Sequence, residues 1–198
     1  MALTRTFIDI GAEGELNLCQ DVAPTPGPDN LLIAVDFAGI NRADVLQRMG
    51  LYPPPADASP IMGLEVAGRV VAVGANVNDW AIGDRVCALV HGGGYASHCI
   101  ARADHCLALP DTIDSEHGAA LPEALLTVWH NVFQRGGLRS GETVLIHGGT
   151  SGIGTLGIQM AKALGSTVLA TAGSPAKCQQ AEALGADYVA NYRDGDLL

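Results

Sequence analysis

Gly148, Gly149, Gly152 and Gly154 fall in the stretch Leu145-Ile-His-Gly-Gly-Thr-Ser-Gly-Ile-Gly154, where an apolar run gives way to glycines. From Ile153 onward, Ile153, Leu156, Met160 and Leu164 follow helical spacing. A strand that enters a glycine-rich turn and then a helix can hold a phosphate. Glycine allows the tight turn and the close backbone approach, and the free amides at the helix start meet the negative charge. Thr150, Ser151 and Ile153 complete the candidate loop. The bland alternative is an ordinary strand-to-helix turn of an α/β protein. Gly157 and Gly165 read as packing and helix-ending glycines.

The nucleotide is read from the next strand end. Sheets that bind NAD place an acidic residue there, against the ribose hydroxyls. This chain has Ala170-Thr-Ala-Gly-Ser174 at that point and no Asp or Glu from Thr143 to Ala181. Gly173, Ser174 and Lys177 stand instead. A hydroxyl and a cation at a helix start suit a 2′-phosphate, so the expected cofactor is NADPH rather than NADH. Ser174 as a plain helix cap and Lys177 as a solvated lysine is the competing account.

Other chemistry-bearing groups lead less far. Cys87, His91, His98, Cys99, His105 and Cys106 crowd one segment. None has zinc spacing, and neighbours such as His98 and Cys99 would point to opposite faces of a strand, so no metal site is expected. His91-Gly-Gly-Gly94 could be an esterase oxyanion loop, but the Gly-x-Ser-x-Gly elbow is missing. His147 reads as satisfied at a strand end rather than catalytic. Thr150-Ser-Gly-Ile-Gly154 alone would also suit a short-chain dehydrogenase, yet none of Tyr52, Tyr95, Tyr188 or Tyr192 has Lys four positions on.

The elements that must position the loop change style along the chain. Up to about residue 120 short apolar runs (Leu31–Phe37, Val66–Val73, Val86–Val90, His98–Ile100) are punctuated by glycine and proline, which suggests a β-rich, partly open barrel. From Pro122 the spacing predicts a helix over Ala124–Phe133 and a strand over Thr143–Ile146. The loop helix, a strand over Thr167–Thr171, a helix over Pro175–Leu184 and a strand over Asp187–Tyr192 follow. Ser174 is the expected cap of the second of these helices, with Pro175 in its first turn. That alternation is half of a doubly wound parallel sheet, so the 198 residues are expected to stop in mid-domain at Leu198.

Composition excludes several classes. Eleven basic and 21 acidic side chains give a net charge of −10, which argues against a nucleic-acid surface. No run reaches membrane-spanning length, and the first residues lack a secretory profile. Five cysteines without C-x-x-C spacing read as reduced thiols of a cytoplasmic protein.

As a whole the chain resembles the medium-chain dehydrogenase/reductase superfamily. Within it, the chain is similar to the zinc-free quinone oxidoreductases related to ζ-crystallin, especially the p53-inducible quinone oxidoreductase-like branch. The resemblance rests on Ala38-Gly-Ile-Asn-Arg-Ala-Asp44, Arg48-Met-Gly-Leu-Tyr-Pro-Pro-Pro55, Gly63-Leu-Glu-Val-Ala-Gly68, Val71-Ala-Val-Gly74, Gly83-Asp-Arg-Val86 and Gly93-Gly-Tyr-Ala96. Leu121-Pro-Glu-Ala124, Thr127, the glycine loop with Gln159 and Lys162, and Asn191-Tyr192 extend it. It implies a GroES-like catalytic domain over residues 1–121 and the first half of a Rossmann NADPH-binding domain over 122–198.

The zinc alcohol dehydrogenases of the superfamily carry a ligand Cys where this chain has Asn41 and a ligand His where it has Leu64. The resemblance therefore implies hydride transfer from NADPH to a quinone without metal. An enoyl or alkenal reductase of the same fold and a non-catalytic NADPH- or partner-binding fragment are the alternatives. By the same resemblance Asn41, Tyr52 and Asp44 lie at the substrate. Asn41 and Tyr52 would be hydrogen-bond donors, while Asp44 either orients them or caps a helix. Thr127 would lie near the nicotinamide amide and Tyr192 by the 2′-phosphate, whereas Glu65 and Arg69 read as structural. The implied partners are a small quinone or conjugated carbonyl and, for a full-length protein, a second copy in a homodimer.

Overall fold

The computed structural model describes residues 2–195, so the end of the expected second domain, 196–198, lies outside the described residues. Contacts divide the chain between Glu123 and Ala124. In the first unit an antiparallel hairpin joins β1 (Thr4–Ile10) to β2 (Leu16–Val22). The other strands are β3 (Asn30–Ala38), β4 (Glu65–Val73), β5 (Arg85–Leu89), β6 (His98–Arg102) and β7 (Cys106–Ala108). They form one antiparallel sheet in the order β6-β3-β4-β5-β7. The hairpin is tied to this unit by the bond from the Ile8 amide to the Tyr95 carbonyl, 2.9 Å.

The alternation of these strands explains the core. Leu31 and Ile33 of β3, Val66 and Val70 of β4, Val86 and Ala88 of β5, and Cys99 and Ala101 of β6 are all buried in one cluster. Residues two apart on a strand share a face, so these positions line one side of the sheet, while Ala67 and Cys87 face the other side in a second cluster with Leu109 and Ala119. Helices α1 (Arg42–Arg48) and α2 (Ser115–Gly118) complete the unit. Arg69, read as structural, donates to the Gly83 carbonyl at 3.1 Å.

The second unit holds three parallel strands, β8 (Thr143–Ile146), β9 (Thr167–Ala172) and β10 (Tyr188–Asn191), in the order β10-β9-β8. The helix expected over Ala124–Phe133 differs in kind. Helix α3 covers Pro122–Val128, and Trp129–Arg135 continue as π-helical turns. There the Trp129 and Phe133 rings meet with centroids 5.4 Å apart. The widened turn is invisible to a 3.6-residue pattern because the side-chain types suit both helices.

Helix α4 (Gly152–Ala163) links β8 to β9, and α5 (Pro175–Ala183) links β9 to β10. Ile158 and Ala161 of α4, Val168 and Ala170 of β9 and Ala181 of α5 make the core of this unit. The β1–β2 hairpin, α1, α2 and β7 of the first unit go beyond the sequence expectations. In β2 every residue but Cys19 is exposed, so it carries no half-buried signature.

Candidate functional site

In the first unit the Ala38–Asp44 motif folds at the end of β3 into the start of α1, with Asn41 as the residue that caps the helix. The Asp44 carboxylate lies three residues on and is buried at 3% exposure. It accepts from the Asn41 amide at 2.7 Å, the Tyr95 hydroxyl at 2.9 Å and the Gly63 amide at 3.3 Å. One carboxylate thus joins α1, the Met62–Leu64 segment and the Gly93–Ala96 turn. These three bonds give Asp44 a capping and cross-linking role. Burial, then the bond to Asp44, pushes the Tyr95 hydroxyl well above the usual tyrosine range.

The Asn41 side chain is held by a second carboxylate. Its Nδ2 donates to Glu65 Oε1 at 2.9 Å, while Glu65 Oε2 accepts from the Glu123 amide at 2.9 Å. Glu65 is buried at 3% exposure, and its pKa is raised, chiefly by that burial. The close approach requires Gly39, where a Cβ would overlap the Glu65 carboxylate and lie 2.6 Å from the Ala119 carbonyl oxygen. An amide nitrogen has two hydrogens, so Asn41 keeps one N–H for another acceptor. Tyr52 stands apart: half exposed, it has no hydrogen bond to Asn41 or Asp44 among the described residues.

Among the described residues no group of three or more His, Cys, Asp or Glu is arranged to hold a metal ion. The crowded thiols serve the core: Cys87, Cys99 and Cys106 are all buried, and burial pushes Cys99 and Cys106 up to about 12.

In the second unit β8 runs into the glycine turn at its C-terminal end. Gly148 has φ +67°, a left-handed conformation open to glycine, and the turn closes with Ser151 N to Gly148 O at 2.9 Å. Ser151 caps α4 by accepting from the Gly154 amide at 3.0 Å. A Cβ on Gly154 would clash with the Gly148 carbonyl and lie 2.9 Å from Gly149 Cα, so helix and turn pack backbone to backbone. Around Gly152, by contrast, a Cβ would meet nothing within 4 Å. Among the described residues the amides of Thr150, Gly152 and Ile153 donate no hydrogen bond, which leaves three N–H groups at the start of a 12-residue helix. Unpaired amides combined with the helix dipole form an anion cradle, and the diphosphate of a dinucleotide fits it.

The neighbouring strand end carries the other predicted group. Ser174 caps α5 and accepts from the Lys177 amide at 3.3 Å. Lys177 is exposed, and its ammonium is free of ion pairs among the described residues. The Tyr192 ring covers Gly173, where a Cβ would overlap the Tyr192 hydroxyl and lie 2.7 Å from Cζ. Gly173, Ser174, Lys177 and Tyr192 therefore sit together at the C-terminal edge of β9, with no carboxylate among them. Gly149 is bound to the same strand through its amide to the Thr171 carbonyl at 2.9 Å. Thr127 lies in α3, half-buried, and its carbonyl accepts from Asn131 Nδ2 at 2.9 Å. Glu65, read as structural, organises the Asn41 amide, whereas sequence reasoning missed Tyr95 and Thr171 as organisers of the site. The sequence signal for each of these two was a polar residue at a strand end or in a motif that is otherwise apolar or glycine-rich.

Residues 27–111 match the alcohol dehydrogenase GroES-like domain, and residues 152–198 match the zinc-binding dehydrogenase family. The chain is 40% identical over 164 residues to the polyketide synthase GfsB of Streptomyces halstedii, covering 82% of this chain and 3% of that protein. Among solved structures it is similar to a mycobacterial quinone oxidoreductase (32% identity, TM-score 0.83, 96% of this chain and 59% of that one). The CurK enoyl reductase is also similar (29% identity, TM-score 0.83, 96% and 60%). So is a mycobacterial protein solved in complex with NADPH (32% identity, TM-score 0.79, 95% and 59%). The chain thus spans less than two thirds of the length of these relatives. A GroES-like unit followed by a Rossmann-like parallel sheet, matched by both domain models, makes this chain a member of the medium-chain dehydrogenase/reductase superfamily.

Proposed function

We propose that this chain belongs to an NADPH-dependent reductase that reduces quinones by hydride transfer without a metal. The observation that carries the cofactor choice is the strand end of β9. Ser174, Lys177 and Tyr192 gather where a 2′-phosphate would lie, and the acid that would read an NAD ribose is missing. The free amides of Thr150, Gly152 and Ile153 supply the diphosphate cradle. Thr127 is assigned to the nicotinamide side. NADPH, when bound, supplies the hydride.

The protein's part is binding and polarisation. Asn41, its amide turned by Glu65, keeps one N–H to donate to the acceptor's carbonyl oxygen, where negative charge grows as the hydride arrives. Tyr52, half exposed, is the second proposed donor. Asp44 holds the Asn41 backbone rather than the substrate. A carbonyl activated only by hydrogen bonds suits an acceptor that is already electron-poor, which favours a quinone. Similarity to the CurK enoyl reductase supports a second reading, reduction of a conjugated enone by the same donors. The small-molecule acceptor, a cytoplasmic location and a homodimer of the full-length protein belong to this proposal.

The test follows NADPH oxidation with 1,4-benzoquinone, 1,2-naphthoquinone and an enone, for this chain and for a version extended to the length of its relatives. The quinones are expected to be the faster acceptors. Faster turnover of the enone would select the second reading, and no turnover of any acceptor by the extended protein would defeat both.

A further inference from the structure

Thr171 is a buried threonine, 5% exposed, one residue from the end of the largely apolar strand β9. It holds three consecutive residues of the neighbouring loop. Its carbonyl accepts from the Gly149 amide at 2.9 Å, and its Oγ1 accepts from the Gly148 amide at 3.3 Å. The same Oγ1 lies 3.2 Å from His147 Nδ1.

The direction of that last bond follows from hydrogen counting. A buried hydroxyl needs an acceptor for its own proton. Gly148 is a donor to Oγ1, so it cannot supply one. Among the described residues the remaining partner of the Thr171 hydroxyl is His147 Nδ1. Thr171 therefore donates to Nδ1, and the imidazole hydrogen resides on Nε2. His147 is exposed, and Nε2 has no partner among the described residues. The ring stands at the carboxyl end of β8, directly before the turn that leads to the free amides of Thr150, Gly152 and Ile153. In open α/β sheets ligands lie outside the carboxyl ends of the strands.

We infer that His147 is a cofactor-binding residue: Thr171 fixes it as the Nε2–H tautomer, and that N–H donates to the diphosphate–ribose backbone of a bound dinucleotide. This rests on the dinucleotide reading above and adds a side-chain donor to a cradle otherwise made of backbone amides. Thr171 is a positioning residue, acting on the cofactor through His147 and through the Gly148 and Gly149 amides.

The experiment measures NADPH affinity by calorimetry, which needs no turnover, for the wild-type chain and for His147→Leu, His147→Gln, Thr171→Val and the double variant His147→Leu/Thr171→Val. Loss of one hydrogen bond to a charged ligand should weaken NADPH about 10-fold in His147→Leu. His147→Gln, whose amide reaches to about the position of Nε2, should recover most of that. The double variant should bind more tightly than the product of the two single losses implies, because part of the Thr171 effect passes through the ring. A His147→Leu chain that binds NADPH as the wild type does would overturn the inference and leave the dinucleotide reading standing. So would full multiplicativity of the two losses. A wild-type chain that binds neither NADPH nor adenosine 2′,5′-bisphosphate would defeat the dinucleotide reading itself, and this inference with it. If His147→Leu fails to fold, long-range proton–nitrogen NMR of the wild-type ring decides: hydrogen on Nε2 supports the inference, and hydrogen on Nδ1 overturns it.

Discussion

Gly152 and Gly154 are two residues apart in the same helical turn, yet alanine at each should do opposite things. At Gly154 the new Cβ would lie 2.9 Å from Gly149 Cα and clash with the Gly148 carbonyl, so helix and turn must separate by several tenths of an ångström. Overpacking of backbone against backbone costs about 1–3 kcal/mol, of which the helix preference of Ala over Gly returns up to about 1. At Gly152 a Cβ meets nothing within 4 Å, so the same preference should raise stability by about 0.5–1 kcal/mol. The open space it enters is where the cradle of free amides needs the diphosphate to approach. Gly152→Ala should therefore be as stable as the wild type or more so, yet bind NADPH at least 10-fold more weakly. Gly154→Ala should lose stability, and its binding should fall in step. Thermal unfolding and calorimetric titration on the same preparations separate the two. A stable Gly152→Ala chain with unchanged NADPH affinity would refute the assignment of the amides of Thr150, Gly152 and Ile153 as the phosphate site.

Three further expectations follow from the geometry. If Lys177 holds the 2′-phosphate as proposed, Lys177→Ala should weaken NADPH about 10-fold and leave NADH unchanged; equal losses for both nucleotides in titration would contradict the assignment. Asp44→Ala leaves the Asn41 and Gly63 amides and the Tyr95 hydroxyl without their acceptor, so the first unit should lose about 3 kcal/mol or more in denaturant unfolding. Unchanged stability would remove Asp44 from its cross-linking role. The Glu123 carboxyl is raised above the ordinary 4.5, first by burial and then by the charges of Glu65 and Asp44. A carboxyl with a raised folded pKa stabilises below pH 4.5, and that contribution is lost as pH rises through the folded value. Glu123→Gln should thus gain in unfolding temperature over the wild type as pH goes from 4.5 to about 7.5. A gain that shrinks over that interval would show the sign to be wrong.

The fold was legible where a local rule sufficed. The apolar runs at Leu31 to Phe37 and Val66 to Val73, and the strand–glycine–helix run at Leu145 to Leu164, specify their elements because residue type and glycine or proline punctuation act between neighbours in the chain. The hairpin Thr4–Val22 was not legible, since β2 is exposed on both faces and its strand state comes from pairing with β1. The π-helical turns at Trp129–Arg135 depend on how the backbone widens, which side-chain types do not encode.

For the site, residue types and spacing determined on their own that a glycine turn leads from a strand into a helix at Gly148–Gly154, that Ser174 caps the next helix, and that no acid stands at the second strand end. Each of these is a statement about neighbours in the chain. Tertiary structure alone decided that Glu65, 24 positions from Asn41, turns the Asn41 amide, that Tyr95 closes on Asp44, that Tyr192 covers Gly173, and that Thr171 pins His147. Those pairs meet through strand register and turn packing, and hydrogen bonds of that kind leave no period in the sequence. The tautomer we infer for His147 likewise depends on a hydroxyl from a different strand.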